Sequence, residues 1–169
     1  LPLLDGDSKI IITTEMESKG YIDLTLDTMK DFGVTVINKD YKEFIIKGSQ
    51  SYKPNDYEVE GDYSQAAFYV VSNMLGSKIK LLGLKPNSKQ GDKEIIDIAK
   101  KFGAEIIEKD NSLEVKPFNE LKATDVDAKN CPDIIPVVAV LASVAKGRTI
   151  IYNAKRLRIK ECDRLNAIA

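Results

Sequence analysis

Short β-branched runs alternate along this chain with stretches whose apolar residues recur at helical spacing. Ile10-Ile11-Ile12-Thr13 predicts a strand. In residues 21–32, Ile22, Leu24, Leu26, Met29 and Phe32 fall largely on a helical period, with Ser18 shortly before as a possible cap and Gly33 as the stop. Residues 34–38 and 43–47 read as two strands around the turn Lys39-Asp40-Tyr41. Residues 57–60 follow as a short extended piece, and residues 64–75 as a helix closed by Gly76.

The same order then recurs. At an offset of 70 residues, Ser18-Lys19 matches Ser88-Lys89, Lys30-Asp31-Phe32-Gly33 matches Lys100-Lys101-Phe102-Gly103, and Lys39-Asp40 matches Lys109-Asp110. Phe44 and Ile46 match Leu113 and Val115 after a gap of one residue. At an offset of 71, Asp62 matches Asp133, the apolar segments 66–75 and 137–145 run to Gly76 and Gly147, and the strand-like segment 79–82 matches 150–153. A repeat fixes the architecture. The unit is βαβαββ in circular permutation, and parallel strands joined through helices predict an α/β fold with sheets on one side and helices on the other. The chain begins and ends inside a unit and does not begin with Met, which leads us to expect an excised piece of a larger protein.

Composition narrows the chemistry. The 169 residues, 43% apolar and 30% charged, describe an ordinary globular protein. There is no histidine, so Ser-His-Asp and Cys-His catalysis and imidazole metal sites are excluded within the chain, and acid–base work falls to Asp, Glu, Lys or Tyr. Cys131 and Cys162 form no metal or redox spacing and suggest a reducing, cytoplasmic compartment. The longest apolar stretch, residues 134–145, contains Pro136, is too short to span a bilayer and reads as a buried helix. No signal peptide is visible. A net charge of −1 argues against nucleic acid, whose phosphates demand a basic surface.

One stretch stands out chemically: Arg156-Leu157-Arg158-Ile159-Lys160-Glu161-Cys162-Asp163-Arg164-Leu165. If Ile159 ends a strand and a helix starts near Asp163, then Lys160, Glu161 and Arg164 gather at one turn. Such a turn offers a cation, a titratable carboxylate and a planar guanidinium, which suits binding an anion and moving a proton beside it. The competing reading is a solvated charged face.

That turn resembles the enolpyruvyl transferases. The resemblance is carried by residues 18–26 (Ser-Lys-Gly-Tyr-Ile-Asp-Leu-Thr-Leu), 59–64 (Val-Glu-Gly-Asp-Tyr-Ser), 87–92 (Asn-Ser-Lys-Gln-Gly-Asp), Pro132-Asp133, and residues 158–165, in the family's order and over nearly the whole chain. It implies the inside-out α/β architecture of two three-unit lobes flanking a cleft. Residues 1–60 would finish one lobe, residues 61–169 would form one unit and the start of the next in the other, and a hinge would lie near Glu60-Gly61-Asp62. It also implies an activity of aromatic amino-acid biosynthesis: transfer of the enolpyruvyl group of phosphoenolpyruvate to the 5-hydroxyl of shikimate 3-phosphate, with release of phosphate and without metal or organic cofactor. Severed units would expose apolar helix faces and sheet edges, so self-association is expected.

The same resemblance assigns roles. Asp133 matches the carboxylate that accepts the hydroxyl proton, and the apolar helix after it is expected to raise its pKa by desolvation. The bland alternative is an N-cap, which its repeat partner Asp62 is expected to be. Lys160 matches a residue on the shikimate side of the reaction centre, Glu161 the carboxylate handling the methylene proton, and Arg164 a phosphoenolpyruvate-binding arginine. Ser18 matches a ligand of the 3-phosphate and Tyr21 a tyrosine reaching shikimate; the alternatives are a helix cap and a half-buried tyrosine. Ser88 and Lys89 are read as structural, and Tyr63-Ser64-Gln65 is not taken for the family's phosphate cradle. Arg156 stands where some members carry Asn, and no catalytic thiol is expected at Cys162. The rivals are the transferase acting on UDP-N-acetylglucosamine, and a non-catalytic scaffold or binding piece.

Overall fold

Strand β1 (Ser8–Ile11), helix α1 (Lys19–Asp31) and strands β2 (Val36–Lys39) and β3 (Glu43–Ile46) build the first of two units, Leu1–Val59 and Glu60–Ala169, in a computed structural model that describes residues 1–109, 112–116 and 120–169. The sheet order is β1-β3-β2. β3 runs antiparallel to both neighbours, pairing Ser8 with Ile46 on one side and Val36 with Ile46 on the other. β1 and β2 therefore run the same way and are joined through α1, as the pattern predicts, but they are not adjacent. The hairpin return strand takes the place between them, because a three-residue turn lets β3 pair with β2 at once and leaves its other edge for β1.

Alternation decides which face of this sheet is covered. Phe44 and Ile46, two apart on β3, are buried together with Val34, whereas α1 buries none of its residues completely. The apolar side chains of α1 and the sheet line an open cavity of about 330 Å³ that includes Ile10, Ile22, Leu26, Met29, Val36 and Phe44.

The second unit contains helix α2 (Tyr63–Met74), strand β4 (Leu81–Leu82), a 3-10 turn (Gly91–Glu94) leading into α3 (Ile95–Lys101), and strands β5 (Ile106–Lys109), β6 (Ser112–Val115) and β7 (Val126–Asp127). A 3-10 turn (Pro132–Ile134) then opens α4 (Ile135–Val144), followed by β8 (Ile151–Tyr152), a 3-10 helix (Lys155–Ile159) and α5 (Arg164–Ile168). The order β4-β6-β5 repeats the order of the first sheet. The hairpin closes at Lys109–Ser112, one residue sooner than Lys39–Glu43, as the one-residue gap between the repeats requires. The expected match of Asp40 with Asp110 lies outside the described residues. β7 and β8 form a parallel pair, and residues 57–60 belong to no strand.

Helices α2, α3 and α4 supply most of the core of this unit. Tyr63, Ala67, Val70, Ile95, Ile98, Phe102, Ile134, Val138, Leu141 and Leu157 are all buried in one cluster. Helix α4 is not buried on every side, although its nearly continuous apolar run predicts a buried helix: Val140 and Val144 are exposed. Gly61, Tyr63, Glu60 and Ser88 are tied together by Gln90, which accepts from the Tyr63 N–H at 2.7 Å and donates to Glu60 and to the Gly61 carbonyl, both at 2.9 Å. Ser88 donates to the same Glu60 oxygen at 2.8 Å, a structural role, as expected, although it occupies the place of Ser18 in the repeat. Ser64 of the rejected cradle donates to the buried Asp92.

Candidate active site

Asp62 and Asp133 share a place in the repeat but not a use. The Asp62 carboxylate accepts from the Ser64 N–H at 2.8 Å and caps α2, satisfying one of the orphan donors of the first turn. Asp133 lies within the 3-10 turn that precedes α4, and neither helix start there has a side-chain cap. Its Oδ1 instead receives the Lys160 ammonium at 3.0 Å and the Arg164 Nη1 at 2.8 Å.

The charged run reaches Asp133 through a corner. Leu157, fully buried, anchors the 3-10 helix that carries it. The expected strand ending at Ile159 is not there: Lys155–Ile159 is 3-10 helix, and Ile159 is 81% exposed. Lys160 then turns extended, and α5 begins after Asp163, whose carboxylate caps it by accepting from the Asn166 N–H at 3.2 Å. Arg158 donates to the other Asp163 oxygen at 2.8 Å and ties the two sides of the corner together.

Arg164 is the hub. Its Nε and Nη2 donate to the two oxygens of Glu161, each at 2.8 Å, the planar two-pronged pairing that a guanidinium favours. Its remaining Nη1 reaches Asp133. Arg164 and Lys160 are largely sheltered, with side chains 18% and 24% exposed, while Glu161 projects at 65%.

The electrostatics follow from this packing. Burial pushes the Asp133 carboxyl up, but the hydrogen bonds from Lys160 and Arg164 outweigh it and hold the group below its ordinary value. This corrects the expectation that the apolar helix would leave Asp133 raised. Glu161 is lowered by the Arg164 fork first and by its own backbone N–H second. The Arg164 guanidinium is held still more firmly protonated by Glu161. Two ionised carboxylates and two cations thus share one corner, and an incoming anion would exchange with those carboxylates for the guanidinium.

Ser18 and Tyr21 lie in the first unit. Ser18 precedes α1 in a left-handed conformation (φ 53°) and its side chain makes no cap hydrogen bond, so the helix-cap alternative does not describe it. The Tyr21 N–H donates to the Ser18 carbonyl at 3.1 Å, and the Tyr21 side chain is 40% exposed. The helix start expected near Asp163 is observed, with Asp163 as its cap, but the sequence assigns no site role to Asp163 or Arg158.

The EPSP synthase (3-phosphoshikimate 1-carboxyvinyltransferase) family model matches residues 1–169. The chain belongs to the EPSP synthase family. It is 59% identical over 169 residues to a 3-phosphoshikimate 1-carboxyvinyltransferase of Clostridium botulinum, covering 100% of this chain and 39% of that protein. It is 61% identical over 168 residues to the enzyme of the same name from Clostridium beijerinckii, covering 99% and 39%. A solved EPSP synthase from Acinetobacter baumannii shares its fold with a TM-score of 0.78 at 21% identity, over 97% of this chain and 38% of that one. The chain thus spans about two fifths of the length of its EPSP synthase relatives. Among the described residues, no helix is long and apolar enough to cross a membrane.

Proposed function

We propose that the longer protein to which this sequence corresponds is a cytoplasmic transferase that moves the enolpyruvyl group of phosphoenolpyruvate onto the 5-hydroxyl of shikimate 3-phosphate. The observation that carries this reading is the bridge made by Arg164 between Asp133 and Glu161, with Lys160 on the same aspartate. In the addition step, the hydroxyl oxygen bonds to the central carbon of phosphoenolpyruvate, the methylene carbon gains a proton, and a tetrahedral adduct forms. In the elimination step, the new methyl group loses a proton and phosphate departs. Asp133 accepts the hydroxyl proton: it is ionised, and its basicity rises when Lys160 and Arg164 turn from it to the anionic groups of the substrates. Arg164 holds the carboxylate or phosphate of phosphoenolpyruvate. Lys160 neutralises charge at the shikimate side.

Glu161 serves the methylene carbon. Clamped by Arg164 it is a carboxylate and accepts a proton, as elimination needs. When the guanidinium turns to the substrate anion, Glu161 loses the contact that lowers it, and its pKa rises toward the range in which it can donate for addition. Ser18 and Tyr21 receive the 3-phosphate and the shikimate ring. Residues 1–60 and 61–169 belong to different lobes of the whole protein, joined near Glu60-Gly61-Asp62.

Among rivals, transfer to UDP-N-acetylglucosamine is disfavoured by the names of the similar proteins. A non-catalytic reading applies to the 169-residue chain by itself. The test is phosphate release by the full-length protein with both substrates. Asp133→Ala and Glu161→Ala are each expected to lower kcat by about 10²–10⁴-fold, the range for a lost acid or base. Rates within tenfold of the parent for both variants would refute the assignment.

A further inference from the structure

The turn between β2 and β3 contains two consecutive residues in the left-handed region, Asp40 (φ 51°) and Tyr41 (φ 56°). Hairpin turns of this handedness ordinarily use Asn and Gly, because a Cβ makes the conformation costly. A bulky aromatic there persists only where its surroundings over-determine it, and such residues gather at sites that do something. Around Tyr41 those surroundings are on view. The Asn38 side-chain oxygen accepts from the Tyr41 N–H at 2.8 Å. The ring stands edge-on to buried Phe44, with centroids 6.4 Å apart and planes at 75°.

The other two contacts leave the hairpin and reach α1. The Tyr41 hydroxyl is shared between both oxygens of Asp23, at 2.8 and 2.9 Å, and the Lys19 ammonium sits 4.9 Å from the centre of the Tyr41 ring. Lys19 and Asp23 are four apart in the first turns of the helix and share a face. Tyr21 lies midway between them and so on the opposite side of the same turn. Ser18, whose own backbone is left-handed, immediately precedes Lys19. One side chain thus grips the helix start at two points, one on each side of Tyr21 in sequence.

We propose that Tyr41 is a positioning residue for the 3-phosphate half-site: through Asp23 and Lys19 it fixes the start of α1, and with it the placement of Ser18 and Tyr21. This rests on the reading of Ser18 and Tyr21 as ligands of shikimate 3-phosphate. Tyr41 touches no substrate itself; it delivers the geometry that two other residues use. The left-handed turn is what aims its hydroxyl off the hairpin and onto the helix, since an extended residue at the same point would continue the strand.

Tyr41→Phe in the full-length protein isolates the hydroxyl, keeping the ring, the contact with Phe44 and the cation over its face. Asp23→Ala removes the other half of the hydrogen bond and serves as an independent second variant. Loss of a hydrogen bond to a charged group is expected to raise KM for shikimate 3-phosphate about tenfold in each, with kcat and KM for phosphoenolpyruvate held within about twofold. In a Ser18→Ala background, which raises the same KM by itself, Tyr41→Phe is expected to add clearly less than its tenfold effect in the parent, because the share that acts through Ser18 is already lost and only the share through Tyr21 remains. A merely structural tyrosine would lower stability without this selective change. An unchanged KM in both variants, or effects of Ser18→Ala and Tyr41→Phe that simply multiply, overturns the proposal while leaving the half-site intact. If Ser18→Ala leaves the KM unchanged, the half-site reading fails and the proposal falls with it.

Discussion

Leu157→Ala tests how the ionic corner is held. In residues 156–165, Leu157 alone is fully buried, and it belongs to the core cluster formed by α2, α3 and α4. Ile159, two residues on, is 81% exposed. Removing a buried leucine side chain down to Cβ costs its transfer free energy and leaves a cavity, together about 2–5 kcal/mol. The corresponding change at Ile159 removes a side chain that water already surrounds, and surface changes of that kind stay within about 0.5 kcal/mol. With a urea slope of about 2 kcal/mol per molar, a loss of 3 kcal/mol moves the midpoint by about 1.5 M. Urea unfolding followed by far-UV circular dichroism reads the shift. Two units need not unfold together, so amide exchange across α4 assigns the loss to the second unit. A loss below 1 kcal/mol in Leu157→Ala, or equal losses in Leu157→Ala and Ile159→Ala, would show that the corner is anchored elsewhere.

Two further outcomes follow from the charge and the exposed apolar surface. Asp133 and Glu161 have lowered pKa values in the folded chain, so as pH falls through the ordinary carboxylate range near about 4 the unfolded state takes up protons first. Their contribution is complete above that range and disappears as pH drops through the lower native values; the urea midpoint is expected to decline from pH 5 to pH 3, less steeply in Arg164→Gln, and parallel profiles would refute the coupling. The apolar cavity of about 330 Å³ on the first unit offers the 169-residue chain a surface for a second copy. Size-exclusion chromatography is expected to show species larger than a monomer, and a clean monomer would count against self-association.

Legibility in the sequence divides along the range of the interactions involved. Helices α1 and α2 lie within two residues of the segments read from apolar spacing, the β2–β3 hairpin follows from apolar runs around a turn, and the β5–β6 pair follows from its match to that hairpin in the repeat. These depend on neighbours a few residues away. Strand order does not: that β3 separates β1 from β2 is decided by pairing between residues 38 positions apart, such as Ser8 with Ile46. The charged run misleads for a related reason. Leu157 and Ile159 alternate with cations as a half-buried strand would, yet one is in the core and the other in water. Period two needs a partner strand on a common face, and here a 3-10 helix turns the second side chain away.

The site itself emerges where the repeat stops repeating. Asp62 and Asp133 occupy equivalent places before equivalent helices, and local propensity treats them alike, as caps. What separates them is a corner more than twenty residues downstream that brings Lys160 and Arg164 to one carboxylate and leaves the other to its Ser64 N–H. Capping gains Asp62 a neutral donor and a helix terminus; Asp133 gains two cations and gives up the cap. Ser18 and Ser88 diverge in the same way: Ser88 donates to Glu60 as part of a structural brace, while Ser18 sits in a left-handed backbone without capping its helix. In both pairs, the member assigned to the site is the one whose local structural task is not met. Comparing equivalent positions of an internal repeat thus picks out, within a single chain, the residues whose role differs from that of their repeat partner.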